Sequence, residues 1–282
     1  MNIKISTDST CDLSPQLIAE HDITVVPLSI TKGDSSYLDG VTIKPADIFA
    51  HVAAGGELCK TSAPSLHTYA ALFESLSKEY DAVVHISLGA NFSSSYQNAC
   101  IAAQEFPNVS VVDSQNLSTG QGLLVLTACD LAASCRDIDA MIRALNETAE
   151  RVDASFLLDR LDYMRKGGRC SSVAALGANL LKLKPCIEVS HGAMQVGKKY
   201  RGDFDRCVRT YISERLEGRT DLERGRVFIT HTPVPDSVRA AARAEVQACG
   251  GFAHIYDTDA GCTVSCHCGP GTLGVLYIRS RA

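Results

Sequence analysis

The sequence lacks the short motifs that mark several large classes of enzyme. G-x-S-x-G, the Walker A pattern and H-E-x-x-H are all missing from its 282 residues. The first would indicate a serine nucleophile on a sharp turn, the second a phosphate-binding loop and the third a zinc protease. The motifs therefore do not point to catalysis of these three kinds.

A concentration of positive charge is missing as well. Lysine and arginine number 27 against 32 aspartates and glutamates, which gives a net charge of -5 with both signs scattered along the chain. Proteins that bind nucleic acids need a basic face to contact the phosphates. The composition therefore argues against a nucleic-acid partner.

Long apolar runs are also missing. The longest, residues 123–133, contains Asp130 and is shorter than the roughly 20 residues that a membrane-spanning helix needs. The first residues show no basic segment followed by an apolar stretch, which a secretory signal would have. We therefore expect a cytoplasmic protein.

Cysteine, by contrast, is abundant, with 12 residues. An even number suggests a disulfide framework, but such frameworks are typical of short secreted chains. Here the cysteines stand mostly singly within apolar segments, as Cys100, Cys129 and Cys186 do. We expect reduced thiols that serve as small buried apolar side chains.

The N-terminal part alternates between segments of strand spacing and segments of helix spacing. The predicted strands are residues 2–6, 23–30, 81–87 and 109–112, and the predicted helices begin at Ser65 or cover residues 93–106 and 122–133. This alternation predicts an α/β fold with a mostly parallel sheet and helices on both faces. Pro27 places the second strand near a sheet edge or a bulge.

The pattern changes after about Arg151. Glycines become frequent, and the predicted elements are a helix near residues 237–248 and short strands at residues 186–189, 227–230, 252–256 and 273–278. A chain of this length suffices for two domains. We therefore predict an α/β domain over residues 1–150 and a smaller α+β domain over residues 151–282.

Three polar loops are the most informative local feature. They cover residues 60–65, 87–97 and 265–274, and the first two lead into predicted helices. Hydroxyls and free N–H groups at the start of a helix can bind an anion. Ordinary helix capping explains any single serine here, but the three consecutive serines at 93–95 exceed what one cap requires. Both interpretations stay open on spacing alone.

Two other patterns suggest chemistry. Asp8 and Asp12 follow the first predicted strand, but they are four residues apart rather than two, so turn capping explains them better than a phosphatase nucleophile. A small-molecule hydrolase or phosphatase that uses Asp8 or Ser93 remains the alternative function.

Cys262, Cys266 and Cys268 with their neighbouring histidine form a dense group of soft metal ligands, which would suit a metal-dependent redox protein. Structural zinc sites usually have a second pair of ligands nearby in sequence, and none is present.

The segment 269–274 formally matches G-x-G-x-x-G. In a dinucleotide-binding fold this motif follows a strand and opens a helix. Here a predicted strand follows the glycines instead. The segment therefore predicts a tight turn beside a ligand or another stretch of backbone.

Taken together, these stretches resemble the DegV family of fatty-acid-binding proteins over nearly the full chain. The matching stretches, in order, are residues 8–13, 61–65, 93–99, 112–114, 161–169, 182–185, 198–201 and 267–271. The sequence departs from the family pattern at three places. Ala63 stands where the family usually has glutamine, Ser94 where it has glycine, and the stretch 200–202 where it has an arginine–threonine pair.

The resemblance implies a carrier rather than an enzyme. It implies one long-chain fatty acid bound between the two domains, with no cofactor or metal and with transient membrane contact as a possibility. A separate fatty acid kinase would phosphorylate the carboxylate, and the acyl phosphate would feed phospholipid synthesis.

The resemblance also implies roles for individual residues. By matching positions, the hydroxyls that would hold the head group are those of Thr61, Ser62, Ser93 and Ser94. His267 would support that network of hydroxyls. Arg201 and Arg169 would face the kinase or the emerging phosphate.

Overall fold

The structure is a computed structural model, which describes residues 1–174 and 183–281, with the side chain of Ala174 left aside. Lys182, which begins one of the stretches that resemble the family, lies outside the described residues. The described strands are β1 (Ile3–Asp8), β2 (Thr24–Val26), β3 (Ser29–Lys32), β4 (Ser35–Leu38), β5 (Lys60–Ser62), β6 (Ala82–Ser87), β7 (Val109–Asp113), β8 (Val152–Leu158), β9 (Leu183–Ser190), β10 (Ala193–Arg201), β11 (Leu222–His231), β12 (His254–Asp259) and β13 (Thr272–Arg279).

Helices alternate with these strands over much of the chain. They are α1 (Pro15–Glu20), α2 (Pro45–Ala53), α3 (Leu66–Glu79), α4 (Ser95–Ala103), α5 (Ser118–Ala132), α6 (Ile138–Ala149), α7 (Asp162–Gly167), α8 (Ser171–Ala174), α9 (Phe204–Leu216), α10 (Asp236–Gly250) and α11 (Cys262–Cys268). Among the described residues, no helix combines the length and the apolar character that crossing a membrane requires.

The N-terminal half contains a four-stranded sheet in the order β2-β1-β6-β7, and all three pairings are parallel. Every residue of β6 is buried because helices cover both faces of the sheet. Val84 and Ile86 pack in one core cluster with α5 and α6, whereas Tyr69 and Phe73 of α3 pack edge-to-face against His85 on the opposite face. The predicted α/β architecture is confirmed.

The second predicted strand is divided at Pro27. Residues before it form β2 at the edge of the parallel sheet, and residues after it form β3 in a separate three-stranded antiparallel sheet, β4-β3-β5. Proline has no N–H to donate to a strand ladder, which makes it a natural point for this change of sheet. The small sheet matters because β5 carries Thr61 and Ser62.

The C-terminal half is built on a six-stranded sheet in the order β10-β9-β8-β13-β11-β12. Its pairings are antiparallel except that of β11 with β12. The sequence did not predict β8 or β10. β10 is an edge strand whose burial does not alternate regularly, so it lacks the period of two that marks a half-buried strand.

One apolar core connects the two sheets. It joins side chains of the parallel sheet, such as Ile5 and Val84, with Phe156 and Leu276 of the six-stranded sheet. α5 lies within this core, and nine consecutive residues, 118–126, are buried, as expected for a helix with packing on all sides. The division into domains at residues 150 and 151 stays a prediction.

Candidate functional site

A cavity of about 370 Å3 lies among the loops of the parallel sheet, β5 and α11. Most of its wall is apolar and comes from both halves of the chain. Its described lining residues with apolar side chains are Leu28, Ala63, Leu88, Phe92, Leu117, Met164, Met194, Val264 and Cys268. This combination of an apolar wall with a few polar groups is typical of a site for a small organic ligand.

All five residues that the resemblance assigns to the head group line this one cavity. They are Thr61, Ser62, Ser93, Ser94 and His267. They come from three separate segments: the end of β5, the loop between β6 and α4, and helix α11. The fold therefore brings them together, although their role in holding a carboxylate stays a prediction.

Hydrogen bonds fix two of the hydroxyls in this group. The Thr61 Oγ1 lies 2.9 Å from His267 Nε2, a contact that joins the N-terminal half to α11. The Ser93 Oγ lies 2.9 Å from the Ser95 Oγ and accepts the Ser95 backbone N–H at 3.2 Å. The hydroxyl of Ser93 is thus held at the beginning of α4, where backbone N–H groups have no partner within the helix.

His267 is held as a neutral ring. Burial of the ring, and secondly the positive charge of Arg169, lower the pKa of His267 from 6.5 to about 4. Its Nδ1 is buried and has no hydrogen-bond partner in the part of the chain that the structure describes. It packs against the backbone of Gly167, where an added Cβ would come within 2.5 Å of it. A neutral imidazole can donate or accept a hydrogen bond at Nε2 without bringing a positive charge into the cavity.

The depressed pKa of His267 predicts a loss of stability in mild acid. His267 binds a proton near pH 6.5 in the unfolded chain but only near pH 4 in the folded protein. The free energy of unfolding is therefore not reduced by this group well above pH 6.5, and it falls as the pH drops below that value. Linkage gives a loss of about 2 kcal/mol at pH 5. Urea unfolding of lipid-free protein at pH 8 and pH 5 measures this, with His267→Gln as the comparison. The variant should lose less stability between the two pH values than the parent, and an equal loss in both would contradict the assignment.

Both ends of α11 are anchored by the N-terminal half. Asp39 accepts the backbone N–H groups of Cys262 and Thr263 at 2.9 and 3.1 Å, and Asp12 accepts the Gly261 N–H at 2.9 Å. Side-chain oxygens at a helix N-terminus satisfy N–H groups that have no partner within the helix. Near the other end, His267 contacts Thr61. The helix that lines much of the cavity is therefore fixed by residues distant in sequence.

The two arginines predicted to face a partner occupy different places. Arg169 lines the cavity and also a neighbouring cleft of about 500 Å3, together with Lys60 and Lys166. Thr61 and His267 belong to both walls, so this cleft adjoins the polar side of the cavity. Arg201 ends β10 and is exposed, and it is not among the described residues that line the cavity or the cleft.

Sequence reasoning did not select several other residues of the wall. Asn98 donates through Nδ2 to the Pro64 carbonyl at 2.9 Å and so ties α4 to the loop before α3. Met164 and Met194 reach the cavity from the C-terminal half. Asn98 and Met164 lie within stretches that resemble the family and could have been selected, whereas Met194 lies outside them and no local pattern distinguishes it from an ordinary core residue.

Asp8 does not have the surroundings of a nucleophile. Its side chain is fully buried, and it accepts hydrogen bonds from the Tyr69 hydroxyl at 2.5 Å, the Ser87 hydroxyl at 2.9 Å and the Leu88 N–H at 2.8 Å. Burial opposes ionisation, but the nearby His85, the Tyr69 hydroxyl and the Leu88 N–H outweigh it and lower the pKa of Asp8. The carboxylate is a buried structural anion that organises the end of β1.

Asp12 has a different environment. Burial raises its pKa to about 8, against hydrogen bonds from Ser118 and Gly261. Its two oxygens bond to α5 and to the residue before α11, so it connects distant segments rather than only capping its own turn. Neither aspartate lines the cavity among the described residues.

The cysteine cluster does not form a metal centre among the described residues. In these parts of the chain no three side chains of His, Cys, Asp or Glu converge on a point that could hold an ion. Cys262 donates its thiol to the Ile43 carbonyl at 3.3 Å, and Cys262, Cys266 and Cys59 share one small apolar cluster. Burial raises the pKa of Cys262 and Cys268 to about 12, which keeps these thiols protonated and unreactive.

The glycine-rich segment forms the turn from α11 to β13. Gly269 and Gly271 have positive φ angles of 72° and 77°, and a strand follows them. The backbone of Gly269 passes so close to the Tyr163 ring that an added Cβ would lie 2.6 Å from it. The turn brings α11 against the α7 segment and does not form a dinucleotide site.

Comparison with known proteins agrees with this arrangement. The model of the DegV family, which is described as a family of uncharacterised proteins, matches residues 2–280. The chain belongs to the DegV family. A DegV domain-containing protein of Deinococcus radiodurans is 32% identical over 98% of both chains.

Solved structures of this family share the fold. A DegV family protein of Thermus thermophilus, described by its fatty acid binding, superposes with a TM-score of 0.90 at 30% identity, covering 99% of this chain and 100% of that one. DegV of Bacillus subtilis, described as a fatty acid binding protein, gives a TM-score of 0.84 at 26% identity over 99% and 100% of the two chains. Fatty acid binding is thus a property of relatives of this fold.

Proposed function

We propose that this protein binds a single long-chain fatty acid in the cavity of about 370 Å3. The observation that carries the proposal is the composition of its wall, which combines hydroxyls and a neutral histidine with apolar side chains. Burying about a dozen methylenes at ~0.8 kcal/mol each yields roughly 10 kcal/mol before the ordering costs of binding. The affinity thus comes from the acyl chain.

The head group needs hydrogen bonds rather than a counter-charge. A carboxylate that leaves water without partners loses its hydration, and donors in the site must replace it. Thr61 and Ser93 offer hydroxyls in the cavity wall, and His267 is hydrogen-bonded to the Thr61 hydroxyl. Hydroxyls and N–H groups can donate hydrogen bonds to either a carboxylate or an acyl phosphate, so the site can hold the head group before and after phosphorylation.

The proposed role is to present this carboxylate to a fatty acid kinase for acyl-phosphate formation in phospholipid synthesis, without turnover by the protein itself. The cleft lined by Lys60, Lys166 and Arg169, called here the basic cleft, supports the proposal, since these three cations outnumber Glu57, the one carboxylate among its described lining residues. Positive charge beside the head group favours a forming phosphate. The proposal includes a cytoplasmic location and transient contact with membranes when lipid is exchanged. The proposal includes no cofactor, and the fatty acid is its bound ligand.

Purified protein is expected to contain fatty acid, about one per chain. Gentle organic extraction followed by mass spectrometry identifies it, and a titration of delipidated protein with fatty acid measures the binding directly. A fatty alcohol of the same chain length serves as the control, because it lacks the carboxylate. If no acyl lipid is extracted and added fatty acid does not bind, the carrier role is wrong.

Arg201→Ala is expected to lower the rate of acyl-phosphate formation in a reconstituted kinase assay and to leave fatty-acid affinity nearly unchanged. Arg201 is exposed at the end of an edge strand, and an exposed guanidinium suits pairing with phosphate or with acidic groups of a partner. Arg143→Ala is the control, since Arg143 is 67% exposed on α6. Equal kinase rates for parent and variant would make Arg201 an ordinary surface charge, and lost lipid binding would assign it to the pocket.

A further inference from the structure

A second, much smaller chamber adjoins the main cavity. Its volume is about 30 Å3, and Leu117, Val264 and Cys268 line both spaces. The chamber therefore lies on the apolar side of the main cavity, whereas the basic cleft shares Thr61 and His267. Its remaining wall comes from β8, β9, β11 and β13 of the six-stranded sheet and from neighbouring residues.

The wall of the chamber is almost wholly apolar although many of its residues are polar. Each polar side chain has its hydrogen-bonding atoms engaged elsewhere. The hydroxyl of Ser118 donates to Asp12, and the hydroxyl of Thr232 accepts the N–H of Thr272 at 2.9 Å. The Thr230 hydroxyl is hydrogen-bonded to the hydroxyls of Thr119 and Thr258. The Thr272 hydroxyl donates to the carbonyls of Cys268 and Gly269. The two ring nitrogens of His231 are hydrogen-bonded to the Asp257 carboxylate and the Thr232 carbonyl.

With their polar atoms engaged, these residues present mainly carbon to the chamber. An apolar space of this kind favours an apolar occupant over water, which would need two or more polar partners. A volume of about 30 Å3 leaves room for only a small group. The end of a hydrocarbon chain has this size and chemistry.

We propose that this chamber receives the terminal carbons of the acyl chain and thereby sets the longest chain that binds well. This inference rests on the proposed function, since it takes the occupant of the main cavity to be a fatty acid with its head group towards Thr61 and His267. Leu117, Val264 and Cys268 then form the passage between the two spaces. Chains that end before the passage leave the chamber empty, and chains that overfill it meet the closely packed sheet.

Among the residues that contact the chamber but not the main cavity, two allow the size of the chamber to be changed, one in each direction. Leu276 is 5% exposed and lies on the chamber face of β13, so Leu276→Ala enlarges the chamber. Ala154 of β8 is 2% exposed, and Ala154→Val fills the chamber with a residue that strands accept well. Leu273 supplies the control, because it is equally buried on the same strand but packs in the core cluster on the opposite face of the sheet.

The experiment measures the affinity of delipidated parent and variants for saturated fatty acids that increase by two carbons at a time. For Leu276→Ala, the affinity for the acid two carbons longer than the parent's best ligand, relative to that ligand, should rise about fivefold. Ala154→Val should lower the same ratio by about fivefold. Leu273→Ala should leave the ratio unchanged, although it destabilises the fold.

The outcomes separate this inference from the proposed function. If the parent binds fatty acids and both Leu276→Ala and Ala154→Val prefer the same chain length as the parent, the chamber proposal is overturned and the carrier role stays intact. Equal shifts in Leu276→Ala and Leu273→Ala would also overturn it, because they would indicate general loosening of the core. If Leu276→Ala does not fold, Ala154→Val alone tests the proposal, which requires this variant to prefer shorter chains than the parent. A parent that binds none of the acids would remove both proposals together.

Discussion

Asp8→Ala is expected to lower the free energy of unfolding by about 3–5 kcal/mol, because it leaves several buried donors without a partner. The Tyr69 hydroxyl, the Ser87 hydroxyl and the Leu88 N–H all donate to this carboxylate, and none of the three residues is more than 5% exposed. Urea unfolding monitored by circular dichroism measures the change at neutral pH. The expected loss is a large part of the total stability of an ordinary domain.

Two matched variants make this prediction specific. Asp8→Asn keeps one acceptor oxygen at the same place and should lose less stability than the alanine variant. Asp34→Ala removes an exposed aspartate and should change stability by less than about 0.5 kcal/mol. If the urea midpoint of Asp8→Ala equalled that of the parent, the structural role of the Asp8 carboxylate would be contradicted. A hydrolytic activity that Asp8→Ala abolished without loss of stability would favour the hydrolase alternative.

The double variant Thr61→Ala with Ser93→Ala is expected to weaken fatty-acid binding by about a hundredfold or more, because each lost donor to a buried carboxylate costs about 1–3 kcal/mol. The two hydroxyls line the same cavity from different segments of the chain. Titration with a fatty acid of fixed length measures the change in Kd. Affinity for the matching fatty alcohol should fall much less.

Stability and binding can be separated with a second pair of substitutions. Ser77→Ala with Thr210→Ala removes two exposed hydroxyls that donate only to carbonyls of their own helices, and it should bind fatty acid like the parent. Unchanged affinity in the Thr61 and Ser93 double variant would exclude these two loops from the head-group site. A folded double variant that loses binding to the acid and the alcohol equally would indicate a general change in the cavity instead.

The parts of the fold that could be predicted from the sequence are those with a local signal. The alternation of apolar strands such as residues 81–87 with helices of regular period gave the parallel sheet, because buried elements must carry these periods. β10 was missed because it lies at an edge, where burial does not alternate regularly. The strand predicted at 23–30 divides at Pro27, a change of sheet that no periodicity could indicate.

The residues of the candidate site were predictable only where a local sequence pattern marked them. Polar loops drew attention to Ser93 and His267, and resemblance to a family suggested what they bind, but their convergence depends on tertiary contacts. Asp39 has no local pattern that would reveal its bonds to Cys262 and Thr263, which lie more than 220 positions away. The apolar character of the small chamber was hidden, since residues such as Thr230 appear polar until their hydrogen bonds are known.

Helix α11 has a consequence for how the protein is made. Its beginning is bonded to Asp12 across 249 positions, and its His267 is bonded to Thr61 across 206. A ribosome synthesises the chain from the N-terminus at about 5–20 residues per second, so the serine and threonine loops exist well before the helix that completes the cavity wall. The N-terminal sheet can form early, but the cavity wall is complete only after α11 has left the ribosome, so any ligand that this wall helps to bind must bind after that point.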